Sequence, residues 1–129
     1  MQQGAPPTSF RELLERYQRG ERDFSDAELD ADPDSDLSGV CLENADFSHA
    51  FLVANFRGAS LRGARFCQAN VKTCDFREAD LRDTDFRGAG LCSALFDGAK
   101  LEGSNFAGAY IHSHAFKEGE RPGGDPPAA

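Results

Sequence analysis

Three histidines, four cysteines and one aspartate-rich run are the residue types here that could carry chemistry. His49, His112 and His114 are potential metal ligands or general bases, and Cys41, Cys67, Cys74 and Cys92 potential ligands or nucleophiles. Their spacing fits neither use. No pair of cysteines has zinc or disulfide spacing. The run Asp30–Asp36 (DADPDSD) lacks the alternating ligands and the distal Glu of a calcium loop, so it reads as a solvated bulge. No G-x-S-x-G elbow occurs, and no Ser or Asp has a base at hand. The expectation is a chain with no catalytic residue, no metal site and no cofactor.

What organises these residues is a period of five. From Ala54 to Phe116 the middle of every five is large and apolar: Phe56, Leu61, Phe66, Val71, Phe76, Leu81, Phe86, Leu91, Phe96, Leu101, Phe106, Ile111 and Phe116. Two places before each stands a small residue, from Ala54 through Cys74 and Thr84 to Ala109, until His114 breaks the column. A helix would spread these positions around its axis, and a straight strand would alternate them between two faces. One interior can take them all only if the chain turns a corner every five residues. That is a solenoid, the repeat architecture that fixed self-similarity signals. The strict alternation of Phe with an aliphatic centre favours an even number of sides.

These fives resemble the pentapeptide-repeat family, whose motif is A(D/N)LXX with Leu or Phe at the centre. The resemblance covers roughly residues 35–116, and the lead-in ERYQRGERDFSDAEL is similar too. It implies an all-β solenoid, a right-handed quadrilateral β-helix with four fives per coil. On that coil Phe56, Phe76, Phe96 and Phe116 stack above Leu37, while Phe47, Phe66, Phe86 and Phe106 stack opposite. Leu42, Leu61, Leu81 and Leu101 form one column between them; Leu52, Val71, Leu91 and Ile111 form the other. The aromatics, Phe51 apart, then all point inward, leaving no platform for stacking bases. His112 lies over Cys92, at best half of a metal site. Some members of the family imitate duplex DNA and bind DNA gyrase or topoisomerase IV, protecting cells from quinolones; the CDF and TDFRG repeats look similar to those.

The organisation follows. Residues 1–8 read as a loose tail. Residues 9–34 read as a capping helix and an acidic lead-in. Ser9 and Glu12 form a capping box, and Phe10, Leu13, Leu14 and Tyr17 give one apolar stripe over Phe10–Arg19, which is expected to lid the first coil. Phe24 and Leu29 are also five apart, so the coil can begin there. Residues 35–116 make about four coils, a rod about 20 Å tall at ~4.8 Å per layer. Residues 117–129 are rich in Gly and Pro and read as disordered.

The chain has 129 residues and a net charge of −8. Residues 35–116 are nearly balanced, with ten acids and eight bases, whereas residues 1–34 hold nine acids and four bases. No signal segment or long apolar run is visible, and the cysteines suit a reducing compartment, so the expectation is a cytoplasmic protein with no membrane or direct nucleic-acid contact. The candidate interaction surface is the outward lattice of Arg57, Arg62, Arg77 and Arg82 with Asp75 and Asp80. Phe51 joins it, because AFLV (Ala50–Val53) is one residue short and leaves that ring pointing outward. The partner is expected to be another protein, and an end of the rod without a cap suggests a weak homodimer through the C-terminal coil or, as an alternative function, a structural protein that self-assembles tip to tip.

Overall fold

A computed structural model of the protein describes residues 5–30, 35–112 and 114–122. From Asp23 the backbone pairs in parallel with itself one coil further on. Asp23 pairs with Asp46, and β1 (Glu28–Leu29) with β2 (Phe51–Leu52), both twenty-three residues on. Asp36, Cys41, Asp46 and Phe51 reach Asn55, Ser60, Arg65 and Asn70, nineteen on. From Asn55–Asp75 to Gly90–Tyr110 the step is twenty. The regular coil is therefore four fives, three residues longer where DADPDSD is inserted and one shorter across AFLV.

Each regular five, up to the one centred on Phe106, ends in a β-turn. The N–H three places after the centre donates to the centre's carbonyl, as in Ala59 to Phe56 and Ala64 to Leu61, both at 2.9 Å. The second residue after the centre has positive φ, the conformation a type II turn demands at its third position. The residue before the centre fixes the turn from its other side. Asp75, Asp80, Asp85, Asn55 and Asn70 each accept from the backbone N–H two places on. This is the Asx turn, and it explains why Asp and Asn recur there. The small residue after the turn points into the interior, where Ala59, Ala64 and Ala79 are fully buried.

Gly63 (φ 76°) suits its turn doubly, since a Cβ there would collide with the Asn44 side chain in the coil below. Thr73 occupies the same kind of position at φ 61°, where a β-branched residue is strained. Thr73→Asn is expected to raise stability by about 1 kcal/mol, read from the urea midpoint, because Asn tolerates this conformation. An unchanged midpoint would refute that account of the strain.

The interior is one continuous apolar cluster. Phe56, Phe76 and Phe96 stack at 5.2 Å per step. Phe24, Phe47, Phe66, Phe86 and Phe106 form the opposite column, with steps falling from 5.8 to 4.7 Å. The columns also touch edge to face, as in Phe66–Phe76 (5.9 Å, 79°) and Phe76–Phe86 (5.7 Å, 84°). Leu61, Leu81 and Leu91 are fully buried between them, and Leu101, in the last coil, is half-buried. Thr84 fills a small slot and satisfies its hydroxyl by donating to the Leu81 carbonyl at 2.7 Å.

The helix α1 (Phe10–Gln18) starts at Ser9, whose hydroxyl accepts the Glu12 N–H at 3.0 Å. The Glu12 carboxylate turns to the Thr8 N–H and hydroxyl rather than to Ser9, so the reciprocal arm of the box lands one residue early. Phe10 and Leu13 are fully buried in the common cluster. Tyr17 donates its hydroxyl to the Glu43 carbonyl at 2.8 Å and ties the helix to the coil.

The C-terminal end departs from the sequence expectation. After β3 (Tyr110–Ile111) the chain reverses, and β4 (His114–Ala115) pairs antiparallel with it. Phe116 does not stack on Phe96; its N–H donates to the Ala109 carbonyl at 2.7 Å and its ring meets Phe106 edge-on at 6.3 Å. His114 is exposed in the hairpin rather than inward. The physical reason is that, among the described residues, no further coil lies above to pair with a continuing strand.

Candidate interaction surface

With the centres inward, the positions on either side of each centre form the outer surface. Asp before a centre and Arg after it lie on the same side of one coil. The Arg77 guanidinium makes two bonds to Asp75 (3.0 and 2.8 Å), Arg82 two to Asp80 (2.8 and 2.7 Å), and Arg87 grips Asp85 likewise. Between coils the contacts are looser: Arg57 to Glu78 and Arg62 to Asp83, both 3.5 Å. Arg57 and Arg62 thus sit beneath Arg77 and Arg82 with an acid at each junction.

These pairs set the local proton affinities. The Arg77 bond holds Asp75 below the usual carboxylate range, and the Arg82 bond takes Asp80 down to about 2. At Asp85 burial pushes upward, but the bonds from Arg87 outweigh it and the net shift is down. A carboxylate with a depressed folded pKa stabilises the fold above its unfolded value, and the gain is lost as pH falls through the folded value. Melting temperature is therefore expected to drop between about pH 4 and pH 2. Arg82→Gln should flatten that drop; a profile unaltered by the substitution would remove the pair as its cause.

One column of the surface differs. Around Leu52, Val71, Leu91 and Ile111 the outward residues after the first coil include Phe51, Val53, Asn70, Lys72, Cys92 and Tyr110, with no carboxylate. Phe51 is half-buried rather than bare, paired in β2 with the Lys72 ammonium 5.5 Å from its ring centre. Tyr110 corrects the expectation that aromatic rings all face inward: it is 44 % exposed and lies over Gly90 in the preceding coil. Leu95, 43 % exposed, takes the place of an Asp above Asp75. Neither exposed side chain was singled out from the sequence, although both break the polar rule for the position before a centre.

Groups suited to chemistry are arranged against it. Cys74 is fully buried, its thiol donates to the Leu52 carbonyl at 3.2 Å, and burial pushes its pKa to about 12. Cys67, beside Arg65 and Arg87 in an open depression of about 500 Å³, is shifted upward by burial and by Asp85, the reverse of an activated thiolate. His112 does lie over Cys92, but it is its backbone N–H that meets the sulfur, at 3.3 Å. Among the described residues no three potential ligands cluster around one metal position. Among them, too, no helix is long and apolar enough to cross a membrane.

Comparison with known proteins assigns the architecture. The sequence profile of pentapeptide repeats matches residues 54–91 and 74–112, with eight copies of the repeat. A pentapeptide repeat protein from Nostoc Pcc 7120, solved by crystallography, is 36% identical over 82% of each chain (TM-score 0.44). The chain belongs to the pentapeptide-repeat family. Membership implies a right-handed β-helix. A pentapeptide repeat protein of the Arabidopsis thaliana thylakoid lumen is 38% identical over 58% of this chain and 60% of that one (TM-score 0.39). QnrB1, a plasmid-mediated fluoroquinolone resistance protein, is 21% identical, with a TM-score of 0.55 over 68% of this chain. This pentapeptide-repeat chain spans about half of QnrB1, 47% of its length. No curated protein matches the sequence.

Proposed function

We propose that this protein is a non-catalytic binding scaffold, a closed four-sided β-helix whose outer faces dock another protein. The observation that carries the reading is the row of bidentate pairs Asp75–Arg77, Asp80–Arg82 and Asp85–Arg87, each held on a rigid turn. Fixed side chains lose little freedom on binding, and alternating charge selects the partner and its register. Exposed pairs of this kind add little to folding stability, which leaves recognition as their main physical effect. The contact surface comprises Arg57, Arg62, Arg77, Arg82, Asp75 and Asp80, with Phe51 and Lys72 on the adjoining column. The four free cysteines support a reducing, cytoplasmic setting. The test is affinity capture with crosslinking, comparing the natural chain with an Arg77→Glu, Arg82→Glu double variant. The reading expects a specific partner that the double variant loses while it still unfolds in one cooperative transition. Equal recovery by both forms counts against it.

A second reading is imitation of duplex DNA toward DNA gyrase or topoisomerase IV. The family relationship to a fluoroquinolone resistance protein supports it, as does the vertical pairing of Asp23 with Asp46. Weighing against it, Arg65 follows Asp46 in that column and Arg87 grips the next carboxylate, Asp85, so the negative strip is broken. A supercoiling assay with and without a quinolone separates the readings; no effect at micromolar protein ends this one.

A further inference from the structure

The depression on the Phe66–Phe86 side differs in charge from the rest of the rod. It has a volume of about 500 Å³ and is lined by His49, Arg65, Cys67, Gln68 and Arg87. It stays open because Gly88 and Gly108 follow one another at the corner above Gln68; a Cβ on Gly88 would come within 3.0 Å of the Gln68 Cγ. Every long side chain on its wall can donate a hydrogen bond, and none is a carboxylate. Arg65 is the exception among the arginines of the coils. Arg57, Arg62, Arg77, Arg82 and Arg87 each meet a carboxylate, whereas the exposed Arg65 meets none among the described residues. Asp85, its backbone partner one coil up, is already taken: Arg87 holds it through Nε and Nη2, leaving Nη1 outside that pair.

We propose that this depression is a carboxylate socket, in which Arg65, with Arg87, Gln68 and His49 around it, receives one acidic side chain of an extended protein segment. Three features choose this occupant. The charge left to act is close to one unit, because Arg65 is unpaired while Asp85 balances Arg87, and one carboxylate matches it. The planar guanidinium of Arg65 can take that carboxylate in a two-bond fork. A phosphate dianion would exceed the available charge and face Asp85, which lies beside Cys67 on the wall. An open depression gives a small free acid few walls to bury it. An extended segment instead can run on across the adjoining Val71–Leu91 side, which carries Lys72 and no carboxylate. The socket goes beyond the docking surface proposed above, since Arg77 and Arg82 stand on the Phe76 and Leu81 sides.

The test is an NMR titration of the full chain at low ionic strength, where exposed charge pairs are least screened. The probe is the blocked peptide acetyl-Ala-Ala-Glu-Ala-Ala-amide, with its Gln analogue as the uncharged match. The Glu peptide is expected to shift the Gln68, Gly88 and Gly108 amides and the Arg65 side-chain N–H saturably in the millimolar range. The Gln peptide should leave them in place. Arg65→Gln should weaken binding roughly fivefold, the scale of one exposed ion pair. Lys100→Gln, the same loss of charge on the Leu81–Leu101 side, should leave it unchanged. No saturable shift, equal shifts by both peptides, or unaltered binding by Arg65→Gln overturns the proposal. So does an equal loss in Lys100→Gln, which marks bulk charge rather than a socket. Acetate binding as tightly as the Glu peptide overturns the choice of a protein segment, and tighter binding of the phosphoserine analogue overturns the choice of a carboxylate. The probe is read directly, so these outcomes do not depend on whether a partner is captured through Arg77 and Arg82.

Discussion

Phe86→Ala is expected to lower the unfolding free energy by about 3–5 kcal/mol, most of what a domain of this size has to lose. Phe86 is fully buried and stacks on Phe66 at 4.8 Å and on Phe106 at 4.7 Å. Its edge meets Phe76 and Phe96 at 5.7 and 6.1 Å. Truncation leaves a void bounded by four rings, each fixed by its own turn and unable to collapse inward. In a solenoid each coil is held mainly by its neighbours, so a break in the middle separates two pieces that are weak alone. Phe116→Ala is the matched control. That ring sits at the end, touches Phe106 edge-on and borders the exposed hairpin, so its loss should cost about 1–2 kcal/mol. Urea unfolding of the two variants checks this; equal losses would show that the stacked columns do not concentrate stability in the middle.

The columns were legible because a corner every five residues leaves one inward direction, and only the centre and the small residue can use it. Composition also exposed the irregular coils: three extra residues at DADPDSD and one missing at AFLV reappear as pairing steps of twenty-three and nineteen. The C-terminal reversal was not legible. His114, Ala115 and Phe116 fit the period by type, and the pattern says nothing about whether a further coil exists to pair with them. In its absence the strand's bonds are met by turning back onto Ala109 and Ile111.

On the surface, the sequence pointed to the outward lattice of Arg57, Arg62, Arg77 and Arg82, but not to the partner each arginine takes. The tight bonds are local, from Arg77 to Asp75 and from Arg82 to Asp80, since the residues flanking a centre point outward on the same side. The cross-coil contacts to Glu78 and Asp83 are longer because those acids sit on the next corner. Tyr110 and Leu95 were missed for another reason. Each is one apolar residue in a position judged by its polar majority, and its exposure becomes visible only once the coil fixes its direction.

Phe10→Asp is the other large effect expected, and it tests whether α1 is a structural lid. The helix has nine residues, too few to persist alone in water. Its order depends on burying Phe10 and Leu13, both fully enclosed in the same cluster as Phe24 and Leu29. A carboxylate in place of the ring has no cation placed to receive it inside that cluster, so the helix must undock rather than bury the charge. Undocking uncovers the first coil, and the cost should reach about 3–5 kcal/mol. The helical circular-dichroism signal should fall in parallel with the melting temperature. Leu14→Asp, on the half-buried margin of the same stripe, should shift both far less. If Phe10→Asp melts like the natural chain and keeps its helical signal, α1 does not stabilise the coil, and its apolar stripe must be free to serve another surface.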